Sequence, residues 1–222
     1  MLPTRAAWIF AAGLAWLVLR GILVSAVPLL RTENVVQQGG LLLIVPLISV
    51  IASLTVPLFF LTFLRHHRFS GQRALQVTTI LAAGASLLSF TLVIMSFIAI
   101  ARGTDAADSS LVLSAPWLFQ AIPLLLVGSL FLFLAVFARQ SGCSAGLCRA
   151  AAVGALGTLI PVIMISIWLI HSHFSDVFSW YPAVSHSLVA KVLGLAAAAA
   201  LLWFLETFAV TYDDGVEVTD RG

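Results

Sequence analysis

LLLIVPLISVIASLTVPLFFLTFL, residues 41–64, runs for 24 residues without a charged side chain. A hydrocarbon core ~30 Å thick is crossed by about 20 helical residues. Lipid offers no partner for backbone amides and carbonyls, so an apolar run of this length crosses it only as a helix that satisfies its own backbone. Similar runs occupy about 7–30, 74–100, 115–138, 148–170 and 184–210. The composition agrees: 61% of the 222 residues are hydrophobic and 9% charged, with mean hydropathy +1.11. Soluble domains carry roughly 25% charged residues. The sequence therefore predicts an all-α fold, a polytopic bundle of six transmembrane helices forming one domain over 1–222, with about 211–222 as a short acidic tail.

The first run has a signal-peptide look, with Arg5 before it and Val24-Ser25-Ala26 resembling a small-residue cleavage site. Arg20 interrupts the would-be apolar core of such a peptide and the run is too long, so it is read as the first helix. Basic residues then orient the bundle. Arg5, the RHHRFSGQR loop with Arg65, Arg68 and Arg73, and the RQSGCSAGLCR loop with Arg139 and Arg149 fall on one side; Arg31 and Arg102 fall on the other. The positive-inside rule places both termini and the 65–73 and 139–149 loops in the cytoplasm of a plasma or bacterial inner membrane. The partners expected are the lipid bilayer and other membrane protein subunits. Nucleic acid is excluded, because basic residues are few and the aromatic residues lie in the spans.

Cys143 and Cys148 then face a reducing compartment, and their spacing without a second pair reads as two thiols rather than a zinc site. His66 and His67 sit in the basic anchor and read as headgroup contacts.

Two internal echoes appear. VPLISVIASL (45–54) resembles IPLLLVGSL (122–130), and LVIMSFIAI (92–100) resembles PVIMISIWLI (161–170). They raise a parallel duplication of hairpins 2-3 and 4-5, the arrangement that in transporters builds a site on an internal axis. Pro46, Pro57, Pro123 and Pro161 mark bend points. Ala150, Gly154 and Gly157, with Gly194 and Ala198, have the small-residue spacing that lets helices approach closely, and the alanine run 196–200 offers a packing surface.

Charges inside a span are costly and ask for a reason. Arg20 lies past the midplane of helix one, Lys191 in the outer half of helix six, and Glu206 near the cytoplasmic end of helix six. Arg20 and Lys191 either reach toward headgroups or converge on an anion. Between the last two runs, HSHFSDVFSWYPAVSH (171–186) holds three of the five histidines. His171 and His186 flank it at similar depth, and with Trp180, Tyr181, Arg20 and Lys191 they form a candidate quinone or lipid-headgroup site. His171, His173, Asp176 and His186 form a candidate metal set, with haem the less fitting cofactor because no other run contains a histidine. An aromatic interfacial belt is the plainer reading of the same loop.

No phosphate loop, metalloprotease motif or paired intramembrane carboxylates occur, and an enzyme is not indicated. Three functions remain. The first is a non-catalytic membrane subunit or accessory protein of a respiratory or transport assembly. The second is a small transporter or lipid-handling protein with an anion site near Arg20 and Lys191. The third is a redox membrane protein holding quinone, haem or metal at the outer loop.

Overall fold

Six helices follow one another in the computed structural model: α1 Pro3–Ala26, α2 Ile44–His66, α3 Arg73–Ala101, α4 Pro116–Phe137, α5 Ala145–His173 and α6 Leu188–Asp214. The structure describes residues 2–26, 44–67, 69, 71–102, 116–140, 143–173 and 188–214, with backbone alone for 23–26, 100, 116–120, 172–173, 188–190 and 213–214. Among the described residues there is no strand. Five helices contain spans long and apolar enough to cross a membrane: Pro3–Ile22, Ile44–His66, Arg73–Ala99, Ala145–His171 and Lys191–Tyr212. The sixth, α4, has 22 residues without a charged side chain, about 33 Å of helix at 1.5 Å per residue. The chain is a multi-pass helical membrane protein.

Helix ends follow local chemistry. Pro3 and Pro116 open α1 and α4, where the missing N–H is one that a helix leaves unpaired anyway. Ser144 caps α5, its Oγ accepting from the Leu147 amide at 3.3 Å. Between α2 and α3 the chain turns through Gly71 at φ 74°, a left-handed conformation that glycine adopts without steric cost. Pro46 falls in the first turn of α2 rather than at an interior bend, whereas Pro57, Pro123 and Pro161 are interior.

Each helix packs along its neighbours in chain order, and α6 closes against α1, so the extensive contacts trace a ring. Consecutive helices alternate in direction. The start of α1, the α2–α3 and α4–α5 turns and the end of α6 therefore share one end of the ring. The largest fully buried side chains concentrate there, including Phe59, Phe60 and Phe63 of α2, Phe133 of α4, and Phe204 and Phe208 of α6.

Two seams are tight. A Cβ at Gly13 would stand 2.9 Å from the Ala52 carbonyl oxygen and would overlap the Thr55 hydroxyl, which fixes α1 on α2. A Cβ at Gly157 would stand 2.8 Å from the Ala200 Cβ, which fixes α5 on α6. The alanine run of α6 is thus a packing surface, but through Ala197 and Ala200; Gly194 has nothing within 4 Å of an added Cβ. Large apolar side chains such as Trp8, Leu54, Leu81, Leu125, Leu156 and Trp203 are exposed on the six helices in turn. That is the outer surface a lipid-facing bundle requires.

Candidate functional site: a tapered helix ring

Helices in contact lie 8–10 Å apart, so in a regular ring of six the central axis is about 9 Å from every helix axis. Alanine on all six would leave that centre empty, and phenylalanine on all six would overfill it. At the shared end the large rings come chiefly from α2, α4 and α6. Phe63 lies 5.7 Å from Phe133, 6.3 Å from Phe137 and 5.8 Å from Phe208, and Phe137 lies 5.6 Å from Phe204, measured between ring centroids. The neighbouring α3 and α5 contribute Leu75, Ala82 and Ala83, and Leu147, Ala150, Ala151 and Ala155. Only α1 departs, pairing Ala6 and Ala7 with Phe10, whose ring is 5.6 Å from Phe59. Three large and three smaller faces close the axis.

Away from this plug the same stripes shrink. Steps of seven residues keep nearly the same helix face, drifting by ~20°. On α2 they read Phe63, Val56, Ser49; on α4, Phe137, Leu130, Pro123; on α6, Phe208, Leu201, Gly194. Gly194 and Pro123 are exposed, whereas Phe63 and Phe208 are completely buried. Along these three stripes, among the described side chains, bulk falls from the plug end toward the other.

Polar groups in the ring are mostly satisfied locally. Thr55, Thr62, Thr79, Ser86 and Thr158 each donate to a carbonyl three or four residues back on their own helix, at 2.6–2.9 Å. Ser49 also bonds between helices: its hydroxyl donates to the Val45 carbonyl at 2.8 Å and accepts from Trp16 Nε1 at 3.3 Å. Arg20 stands one turn beyond Trp16 and is half-buried; Lys191, in the first turn of α6, is exposed. Taking the Phe10, Phe59 and Phe208 rings as level, Arg20 is about 15 Å and Lys191 about 25 Å from the plug along the axis. The two cations lie toward the end opposite the plug, at different depths. Neither has an ion-pair partner among the described residues.

The other expected site residues divide. His171 is half-buried near the end of α5, and His173 is the last residue of that helix. Asp176, Trp180, Tyr181 and His186 lie outside the described residues. Among the described residues no group of three His, Cys, Asp or Glu could hold a metal ion.

Over the plug sits a polar bridge that sequence reasoning missed. The His67 ring stacks on Phe63 at 4.7 Å and meets Phe69 edge-on at 4.8 Å. Its Nε2 is 3.0 Å from Gln72 Oε1, the oxygen that also accepts from Gln140 Nε2 at 3.0 Å; its Nδ1 is 3.4 Å from the Tyr212 hydroxyl. One assignment satisfies all three bonds: Nε2–H donates to Gln72, and Nδ1 accepts from Tyr212. His67 is therefore turned inward, not toward headgroups. The available signal was the four-residue recurrence of rings in 59–63–67, 133–137 and 204–208–212.

At the base of α5, Cys143 precedes the capping Ser144 and Cys148 lies in the first turn, the two positions that commonly pack together at a helix start. Both thiols are free, and Cys143 is hydrogen-bonded to Cys148. Burial first, then that hydrogen bond and the neighbouring charge, pushes the Cys143 thiol up to about 12.

Fold and site together define a multi-pass α-helical membrane protein with a one-sided aromatic plug. No family model, curated protein or solved structure matches the chain.

Proposed function

We propose that the protein is a small transporter or lipid-handling protein that admits an anion with an apolar tail from the wide end of the ring. The taper from phenylalanine to serine, proline and glycine along α2, α4 and α6 carries the reading. Among the described side chains of these stripes it leaves least bulk toward the end where Arg20 and Lys191 stand, and a cation within the hydrocarbon layer is stabilised by an anionic partner. Trp16, fixed by Ser49, supplies a flat apolar wall one turn below Arg20.

The orientation belongs to the same proposal. Arg5, Arg65, Arg73, Arg139 and Arg149 are exposed at or beside the plug end, so the positive-inside rule turns the plug toward the cytoplasm and the wide end outward. A duplicated hairpin also fits. At the 69-residue offset that aligns the two VIM triplets, Thr78, Ala82, Ala85 and Ser86 of α3 match Leu147, Ala151, Gly154 and Ala155 of α5, and all eight are buried.

The test is binding of a fluorescent fatty acid and of a short-chain phosphatidylglycerol to the purified chain, with phosphatidylcholine as the neutral-headgroup control. The two anionic arms separate a free carboxylate from a lipid phosphate. Arg20→Ala or Lys191→Ala should weaken the preferred anion by roughly tenfold, about 1.4 kcal/mol. Equal binding of anionic and neutral probes by the native chain removes the proposal. Stoichiometric partners retained in mild detergent would favour a membrane subunit instead, and a visible absorption band or bound metal would favour the redox reading.

A further inference from the structure

We infer that the phenylalanine plug is a gate, closed in this structure, and that the bridge of His67, Gln72, Gln140 and Tyr212 is its latch. The inference rests on the transport reading above and names the moving part.

Placement carries the argument. The rings that meet around Phe63 come from α2, α4 and α6, so displacement of one of these helix ends opens the seal. The latch residues stand at those same ends. His67 follows the last residue of α2, Gln140 lies three residues beyond α4, and Tyr212 is in the last turn of α6. Gln72, carried on the α2–α3 turn, accepts from both His67 and Gln140 through one oxygen. Three hydrogen bonds thus tie together the ends that supply the plug. Phe63 couples the two layers, because it stacks under His67 and also meets Phe133, Phe137 and Phe208.

The seal itself is side-chain contact alone. Phe63 meets Phe133 and Phe208 as edge-on rings at 5.7 and 5.8 Å, and among the described residues no backbone hydrogen bond joins the helices that bear them. Such a contact parts when a helix end moves outward by a few ångströms, and the three latch bonds resist that movement. Gln140→Ala removes one donor from the latch without touching a ring. Phe63→Ala removes the ring at the centre of the seal.

The experiment places a reporter beyond the gate. Gly194→Cys is made in the full chain with Cys143→Ser and Cys148→Ser, at a position that is exposed and open to an added side chain. The protein is reconstituted in one orientation, and a small charged methanethiosulfonate that does not cross lipid is applied to one side at a time. With the plug intact, the thiol should react from the wide side only. Adding Phe63→Ala or Gln140→Ala should raise the rate from the plug side at least tenfold, while Trp203→Ala on the lipid face should not change it. Unchanged plug-side rates in both variants, or reaction from the plug side with the plug intact, overturn the gate. If Phe63→Ala does not fold, Gln140→Ala decides alone. Probe binding at Arg20 and Lys191 is measured on the same preparations, so loss of the ligand reading and loss of the gate are separate outcomes.

Discussion

The Gly157 seam gives a prediction whose sign opposes ordinary helix propensity. In an unconstrained helix, Gly→Ala is stabilising by ~1 kcal/mol. At Gly157 the added methyl meets Ala200 Cβ at 2.8 Å and the Ala197 carbonyl oxygen at 3.3 Å, and both neighbours belong to α6, so neither can swing aside as a long side chain would. Overpacking of this kind costs about 1–3 kcal/mol, which leaves Gly157→Ala between roughly neutral and 2 kcal/mol destabilising. Gly84 on α3 provides the reference, since nothing lies within 4 Å of its added Cβ. Gly84→Ala should gain the full propensity term, so the two substitutions should differ by about 1–3 kcal/mol. Ala200→Gly supplies the missing room, and the double variant Gly157→Ala/Ala200→Gly should recover ~1 kcal/mol or more relative to additivity. The assay is loss of helical circular dichroism on titrating sodium dodecyl sulfate into the purified chain in mixed micelles. A Gly157→Ala variant as stable as Gly84→Ala, or strict additivity with Ala200→Gly, would refute the packing of α5 on α6.

Further predictions follow from single contacts. Trp16→Phe and Ser49→Ala should each cost about 0.6 kcal/mol, the average for hydrogen bonds between membrane helices, and the double variant should cost little more than either; additive losses in the same titration count against the Trp16–Ser49 bond. Ser144→Ala should destabilise by ~1 kcal/mol and Ser144→Asp should restore most of it, because either side-chain oxygen caps the Leu147 amide; an Asp variant no better than Ala contradicts the cap. Cys143 holds its proton far above the ordinary thiol range, and only the thiolate reacts. In a Cys148→Ser background, which removes the Cys148 contribution and leaves burial, its aromatic-disulfide reaction at pH 7.5 should be at least ~tenfold slower than that of a free cysteine and still climbing above pH 9. A rate that levels near pH 9 would show a solvated thiol.

Much of this fold was legible because the membrane simplifies the code. A run such as 41–64 has one permitted backbone, so helix number followed from length alone, and each predicted span overlaps a helix. Boundaries shifted where local chemistry outranked hydropathy: Pro3 starts α1 before the apolar run, and the Ser144 cap starts α5 ahead of Arg149. The interior was less legible. Hydropathy treats Phe63 and Leu61 alike, yet Phe63 is completely buried and Leu61 is 46% exposed. In a lipid-facing bundle both surfaces are apolar, so the contrast that marks a soluble core is missing. Polarity drew attention to His171, Arg20 and Lys191, while the side chains that close the ring were ordinary phenylalanines. His67 showed the opposite bias: a charged neighbourhood suggested headgroups, but the half-buried imidazole has one face on Phe63 and both nitrogens bonded within the bundle.

The division of labour along the axis follows from how membrane helices associate. Lipid tails compete with any apolar side chain, so helix contact is rewarded chiefly by close packing and interhelical hydrogen bonds. This ring draws on both at the plug end, through ring contacts and the His67 bridge. At mid-depth it relies on Gly13 against Ala52 and Gly157 against Ala200. Those seams lie between neighbours, off the axis, so α1 stays joined to α2 and α5 to α6 even where the central stripes thin to Ser49 and Gly194. The contacts that hold these neighbouring helices together are therefore separate from those that fill the centre. A bundle built with phenylalanine along the whole axis would pack more at its centre, but it would gain nothing at the seams, where glycine is what lets the helices approach.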